Sequence, residues 1–587
     1  MIMRAANGLV HWLLDFFRTS IRLLKWLFLA IASICIVAFG QPAWSWECSL
    51  LAGALGYALF WVVLLHIPSR KTRFWAGTSW FMAVQLIQLS WFTAHPFFYI
   101  YFFYLLLTFL VGLQFGLLSL LITPELIRSI PILFGIAGLW TLQEWIRLFL
   151  LSGYTWNPVG LALASNLYAL QTASLWGIYG LSFWVILTNL FALRSWIERR
   201  WAPAWMFLAL FPYLFGLGQI SFRSSQAQET SPYLHAVVVH TASPVEENVA
   251  FANHQSFINY VFHEWCQILQ AIKKQHGAPL DLMLLPEYVV PCGTYSFVFP
   301  YESVAHAFSS LLGPESLKTL PSLELPFAKS VPTKAGTSYL VNNAFLAQGI
   351  ANYFQTHLVI GLEDCEYAPS GEKLFYSAAF CFRPSATPTT LDRYEKRVLV
   401  PLGEYLPFDW CRSLASEYGV FTSFTKGSQA KVIDIGGFLC GISICYEETF
   451  ADLMRENKQQ GAVALLNLTN DVWYPNSRLP KQHLSHALVR TVENGIPLIR
   501  ATNAGISGAV DSSGQLIDFL EPTPEFDSLR LKVPLYTYPT LYSQVGDRLV
   551  IGISVLAILM SLPALYAVLP LRWKKRSKAS GTHTTHK

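Results

Sequence analysis

Three residues of this 587-residue chain could together perform nucleophilic catalysis. Cys445 ends the run GISIC, Glu287 ends DLMLLPE, and Lys396 lies in LDRYEKRVLVPLGEYLP with Glu404 eight residues further on. A carboxylate takes a thiol proton, the thiolate attacks a carbonyl carbon, and an ammonium stabilises the oxyanion, which makes a nucleophilic set. A thiolate beside the Lys396 cation is expected to have a lowered pKa. Each residue alone also has a plainer reading. A free cysteine is most often packed inside, Lys396 amid Arg393 and Arg397 reads as a solvated charge, and Glu287 could simply cap the turn after its strand. Their common placement at strand ends distinguishes them.

Such a set needs elements that bring strand ends together. Short β-branched runs at 234–240, 281–287, 357–364, 375–382, 436–447, 462–471 and 496–503 read as strands, and 505–514 as a strand ending in a turn. Helical segments such as 246–275 and 480–494 lie between several of them. Repeated strand–helix units imply an α/β layered domain with helices outside the sheets, and such folds form sites beyond the carboxyl ends of strands. His483 and His486 are spaced i, i+3 on a helix and could ligate a metal, but no acidic or Cys partner lies at zinc-like spacing. The nine cysteines are scattered and odd in number, so at least one thiol is free. Cys440 and Cys445 would face opposite sides of an extended strand, which argues against a disulfide between them. There is no phosphate-cradling glycine loop or dinucleotide fingerprint, so neither a metal nor a cofactor is expected.

The remainder of the chain reads as membrane. Hydrophobic residues make up 53% of the sequence and charged ones 13%, about half the charge of a soluble globular protein. Residues 222–548 carry a net charge of −8 and everything else +13, which points to two environments. Basic residues fall in short clusters between apolar runs, so nucleic acid is not an expected partner. Seven apolar stretches precede residue 222, at about 24–40, 50–67, 74–93, 98–122, 130–151, 168–192 and 203–221, and an eighth covers 549–571; each approaches the length of a spanning helix. The first reads as an uncleaved anchor. Arg4, Arg18, Arg22 and Lys25 precede it; Arg70, Lys71 and Arg73, then Arg128, then Arg194, Arg199 and Arg200 occupy alternate loops, and a basic tail over 572–587 comes after the last span. The intervening loops 41–49 and 94–97 carry none. By the positive-inside rule both termini are cytoplasmic and 222–548 lies across the membrane, in a bacterium the periplasm. Glu144 and Arg147, near the end of the fifth span, are expected to snorkel to water.

With these residues in place the sequence resembles the nitrilase superfamily, whose Glu–Lys–Cys triad occurs in this chain order. The stretches LPE (285–287), YEKRVLVPLGEYLP (394–407), ICYEE (444–448), NLTND (467–471) and QHLSHALVRTVENGIPLIRATNAGISGAVDSSG (482–514) are similar to its apolipoprotein N-acyltransferase branch in particular. That branch places a nitrilase-like domain between seven membrane helices and a final eighth. The resemblance implies a polytopic α-helical membrane domain of about eight spans plus an extramembrane α/β nitrilase-like αββα sandwich. The boundaries would be a membrane domain at 1–221, a periplasmic catalytic domain at 222–548, the eighth span at 549–571 and the basic cytoplasmic tail. It also implies roles: Glu287 as general base, Lys396 as oxyanion stabiliser and Cys445 as nucleophile. Glu404 would position the lysine, and Tyr446 and Glu447 would shape the pocket. Two stretches depart from the family pattern: Trp473 is followed by Tyr474 and Pro475 rather than Phe-Gly, and 154–156 reads Tyr-Thr-Trp where Phe-Pro-Trp is common.

The implied reaction moves an acyl chain from a phosphatidylethanolamine-like phospholipid to the cysteine. The thioester is then attacked by the α-amine of the diacylglyceryl-cysteine of an apolipoprotein. The aromatic runs 295–301 (YSFVFPY) and 405–410 (YLPFDW) are candidates to touch membrane lipid. Two other readings stay open at this stage: a membrane-tethered carbon–nitrogen hydrolase acting on small amides, and a non-catalytic transporter or lipid-binding scaffold.

Overall fold

A computed structural model of the chain describes residues 2–41, 44–227, 231–245, 251–334, 336–385, 391–408 and 423–568. The basic tail therefore lies outside the described residues, as do Cys411, the start of the expected 246–275 helix and the end of the 405–410 run.

The first part is helical: α1 (Ile2–Gly40), α2 (Trp46–Leu64), α3 (Arg70–Gln88), α4 (Tyr99–Ser119), α5 (Ile130–Ile146), α6 (Ala173–Ile197) and α7 (Ala202–Ala227). Six helices among the described residues are long and apolar enough to cross a membrane: α1, α2, α4, α6, the α7 region and the last helix of the chain. The expected spans at 74–93 and 130–151 fall on α3 and α5. α3 opens with Arg70, Lys71 and Arg73, and α5 has only 17 residues. Aromatic rings of Tyr57, Trp61, Trp80, Phe81, Phe115 and Trp140 fill the centre. Close approach of α3 and α4 depends on glycine: a Cβ on Gly112 would sit 2.8 Å from the Thr78 carbonyl oxygen, the small-residue contact that lets membrane helices pack. Glu144 and Arg147 correct the sequence expectation. They are 2% and 5% exposed and do not reach water, because loop residues 154–159 cover them from the other side.

Among the described residues the second part carries fifteen strands. They are β1 (Tyr233–His240), β2 (Leu282–Leu284), β3 (Phe299–Pro300), β4 (Ala328–Thr333), β5 (Gly336–Val341), β6 (His357–Tyr367), β7 (Lys373–Phe382) and β8 (Asp392–Glu395), then β9 (Val432–Ile435), β10 (Phe438–Ile444), β11 (Ala464–Asn470), β12 (Leu498–Asn503), β13 (Ser507–Val510), β14 (Leu516–Leu520) and β15 (Asp527–Pro534). One six-stranded sheet has the order β15-β1-β2-β6-β7-β8 and the other β14-β13-β12-β11-β10-β9. Within each, three central strands run parallel, β1-β2-β6 and β10-β11-β12. Central parallel strands are covered on both faces, so they read as nearly unbroken apolar runs. Val238, Leu284 and Val359 from the first sheet meet Ile442, Leu466 and Ile499 from the second in one buried layer.

The outer faces are covered by helices. On the first sheet lie α8 (His254–Ile272), through Trp265 and Ile268, and α9 (Asn343–Phe354), through Phe345 and Ile350; α8 begins on a capping box between Asn253 and Ser256. On the second lie α10 (Ala451–Gln459) and α11 (Leu479–Asn494), through Met454, Leu484 and Ala487. The layers are therefore helix, sheet, sheet, helix. α12 (Arg548–Val568) returns to the first part and packs against α5.

The expected strand 436–447 divides: Gly436 and Gly437 form the turn between β9 and β10, and Cys445 leaves the strand for a short 3₁₀ turn. A third small sheet, β3-β5-β4, is built from strands between Phe299 and Val341.

α11 is the seam between the two parts. Gln482 accepts from Trp91 Nε1 (2.9 Å) and donates to the Gln88 carbonyl (2.7 Å), and Glu493 Oε1 accepts from the Ile178 amide (2.7 Å).

Candidate active site

The three residues singled out in the sequence come together at the carboxyl ends of their strands. Glu287 comes after β2, whose pairing with β6 continues past the strand through Leu285 N to Val359 O and Gly361 N to Pro286 O. Gly361 is required there, since a Cβ would meet Glu287 Cα at 2.6 Å. Lys396 comes directly after β8 and is tied at both ends of the residue, its amide donating to Ser377 O and its carbonyl accepting from Gly427 N. Cys445 comes directly after β10 with φ of +53°, a left-handed conformation that costs a non-glycine residue about 1–3 kcal/mol. The Asn467 amide donates to the Cys445 carbonyl (3.4 Å) and to Ser443 Oγ (3.1 Å) and helps to hold this turn.

Lys396 Nζ donates to Glu287 Oε1 at 2.7 Å and to Glu404 Oε1 at 2.5 Å. Its side chain is fully buried, so the surface reading of Lys396 does not apply. Glu404 Oε2 accepts from the Val400 amide (2.9 Å), which fixes the carboxylate that holds the lysine. Burial works against the ammonium, but the charges of Glu287 and Glu404 outweigh it and hold the Lys396 pKa well above the usual lysine range. Glu287 is pushed up by burial, against the pull of Lys396.

The Cys445 thiol is also pushed well above its usual pKa, by burial first and then by the Glu287 charge, with Lys396 opposing. The lowered pKa expected from the neighbouring cation is thus overturned. Burial, with the Glu287 charge adding to it, outweighs the lysine and favours the protonated thiol. Attack then requires a base to remove that proton, and Glu287 is the carboxylate beside it.

Glu447 ties the two loops together. Its Oε1 accepts from the Arg397 and Val398 amides and its Oε2 from Tyr394 Oη (2.8 Å) and the Ile444 amide (2.8 Å). One carboxylate thus braces the residues after Lys396 and the residue before Cys445. Tyr446 turns the other way, toward the helical part. Its hydroxyl donates to the Gly153 carbonyl (3.1 Å) and accepts from the Thr155 amide (3.2 Å), and Trp156 stacks on its ring at 5.7 Å.

Behind the nucleophile, Glu448 lies 3.3 Å from Arg500 and 3.4 Å from His483, whose other ring nitrogen is 3.1 Å from Asp471. His486 faces Trp156 at 5.5 Å, and burial together with Arg490 drives its pKa well below the usual histidine range. Trp473 and Tyr474 pack on the loop before α4: Trp473 stacks on His95 (5.6 Å) and Tyr474 meets Trp91 edge-on (4.6 Å).

Residues 249–525 match the carbon-nitrogen hydrolase family, and residues 35–191 match the apolipoprotein N-acyltransferase N-terminal domain. The apolipoprotein N-acyltransferase of Chlamydia pneumoniae is 31% identical over 553 residues, covering 91% of this chain and 96% of that one. The chain belongs to the apolipoprotein N-acyltransferase family. It is an acyltransferase and a multi-pass membrane protein. The apolipoprotein N-acyltransferase of Geobacter metallireducens is 28% identical over 433 residues, 72% of each chain. Among solved structures, Saccharomyces cerevisiae Nit3, a member of branch 10 of the nitrilase superfamily, aligns at 18% identity with a TM-score of 0.31, covering 51% of this chain and 90% of that one.

For an apolipoprotein N-acyltransferase family member, the sequence marks Glu287, Lys396, Glu404, Cys445, Tyr446 and Glu447, and all six lie in one connected site. It gives no role to Ser377, Tyr394 or Asn467, and it marks 154–156 only as a departure from the family pattern. Asn467 has a signal, as the first residue of NLTND. Tyr394 likewise opens the stretch YEKRVLVPLGEYLP.

The expected lipid-facing runs divide. Tyr295 and Phe408 are partly exposed, whereas Phe299 is buried against Phe262.

Proposed function

We propose that this acyltransferase N-acylates the N-terminal diacylglyceryl-cysteine of apolipoproteins, taking the acyl chain from a phosphatidylethanolamine-like phospholipid through a thioester on Cys445. The observation that carries the reading is the cluster of buried Glu287 and Lys396 with the half-buried Cys445 at the seam with the membrane helices. Glu287 removes the thiol proton as Sγ attacks the ester carbonyl carbon. The oxyanion that forms is stabilised by the Lys396 ammonium. Collapse expels the lysophospholipid alkoxide, which takes the proton back from Glu287. In the second half, a neutral α-amine attacks the thioester, Glu287 takes the amine proton, and the thiolate leaves and is reprotonated.

Both substrates are anchored in the bilayer, which gives the helices their purpose. The reading includes α3 and α5 as spans, for eight in all, with 222–548 in the periplasm and both termini in the cytoplasm. The alternation of basic loops supports that topology, as does the burial of α5 within the helical core.

A diacylglyceryl-cysteinyl peptide tests transfer against hydrolysis. The acyl-enzyme should persist in buffer, where water at about 55 M competes unless the site excludes it. It should discharge when the peptide is added, giving a triacylated, amide-linked product, and an N-acetylated peptide should fail. Rapid loss to free fatty acid, indifferent to the peptide, would instead favour a membrane-tethered carbon–nitrogen hydrolase.

A further inference from the structure

Tyr446 is held by the membrane part, and the loop that holds it is itself held by an ionisable residue inside a helix. Glu144 of α5 accepts from Trp140 Nε1 and from the Val159 amide with one oxygen, both at 2.9 Å. Arg147, one turn on, donates to Gln114 Oε1 (2.8 Å), and its carbonyl accepts from the Tyr154 amide (3.1 Å). Gln41 donates to the Asn157 carbonyl (2.9 Å). The loop is therefore fixed at Tyr154, Asn157 and Val159. Its free face meets the nucleophile turn, where Gly153 and Thr155 share the Tyr446 hydroxyl and Thr155 Oγ1 lies 2.5 Å from Thr449 Oγ1. Burying a carboxylate in a membrane helix is costly, and packing alone would be served by an apolar side chain.

We propose that Glu144 is a positioning residue for the acyltransferase, acting through the 153–159 loop on Tyr446 and hence on Cys445. The inference rests on the thioester reading above. Its consequence is kinetic: displacing a nucleophile by a fraction of an ångström slows the chemical step without weakening substrate binding.

The test is single-turnover thioester formation by the full-length chain in lipid nanodiscs, monitored by intact mass over a range of phospholipid concentrations. Glu144→Ala should lower the saturating rate about 30-fold, within the roughly 10²-fold that remote misplacement can cost, and leave the half-saturating concentration unchanged. Glu144→Gln keeps an acceptor oxygen and should stay close to the wild-type rate. Tyr446→Phe should be non-additive with Glu144→Ala, because both break one chain of contacts. If Glu144→Ala does not fold, Thr155→Val, which cuts the Thr449 contact, should slow the same step. Glu144→Ala at the wild-type rate, a loss confined to half-saturation, or an additive double variant would overturn the inference while leaving the thioester reading intact. A wild-type chain that forms no thioester would overturn both.

Discussion

Glu447→Gln tests whether one carboxylate holds the two catalytic loops in register. The four donors on Glu447 divide two to each oxygen. A glutamine presents an NH₂ group to one pair whichever way it turns, so two donors lose their acceptor. Hydrogen bonds to a charged group contribute about 1.5–3 kcal/mol each, which puts the gross loss at about 3–6 kcal/mol. Two effects reduce it: a neutral amide is cheaper to bury than the carboxylate, whose pKa burial already raises, and the Tyr394 hydroxyl can rotate. A net loss of about 3 kcal/mol corresponds to a melting temperature lower by about 4 °C in a domain of this size. Because the peptides beside Lys396 and Cys445 hang from the same carboxylate, thioester formation should also slow about 10²-fold. The assay pairs thermal melting of the detergent-solubilised chain with single-turnover acylation. A Gln variant that melts like the wild type and acylates at its rate would refute the reasoning.

The same geometry sets three further outcomes. Lys396→Met leaves the buried Glu287 and the half-buried Glu404 without their shared cation, so thioester formation should fall by at least about 10²-fold and stability by about 3 kcal/mol; wild-type acylation kinetics would remove the lysine from the mechanism. The Cys445 thiol has a pKa raised above its ordinary 9.0. Below that raised value the thiol keeps its proton, so its alkylation by a small neutral reagent should still be rising with pH through 9, and a plateau near neutrality would show a standing thiolate. Reporter fusions after residues 230 and 580 should report opposite compartments, and agreement between them would refute the topology.

The site was legible in the sequence because its residues end strands that are apolar on both faces. DLMLLPE and GISIC announce a buried strand and its last residue together, and the order Glu, Lys, Cys supplies the chemistry. Glu404 and Glu447 were legible only through the family resemblance. Neither spacing nor periodicity shows that Glu447 accepts four hydrogen bonds from residues up to 53 positions away.

The departures from expectation have physical causes. The thiol pKa departs from the expectation because sequence places the cation but not the burial that outweighs it. Glu144 and Arg147 sit near a helix end, where snorkelling is the ordinary outcome, but Trp140, Gln114 and the 154–159 loop pack around them. The β4–β5 hairpin carries Lys329, Pro332 and Lys334, an edge-strand composition that hides the alternation a strand would otherwise show. Gly436–Gly437 lay inside an expected strand because the residues after it are more apolar than those before.

That Cys445 carries the acyl chain is tested most directly by intact-protein mass spectrometry of the purified chain after incubation with phospholipid. The expected result is one added acyl group, mapped to Cys445 and lost on brief hydroxylamine treatment, with no adduct on Cys445→Ala. An unmodified wild-type chain that still acylates the lipopeptide, or an adduct that persists in Cys445→Ala, would contradict it.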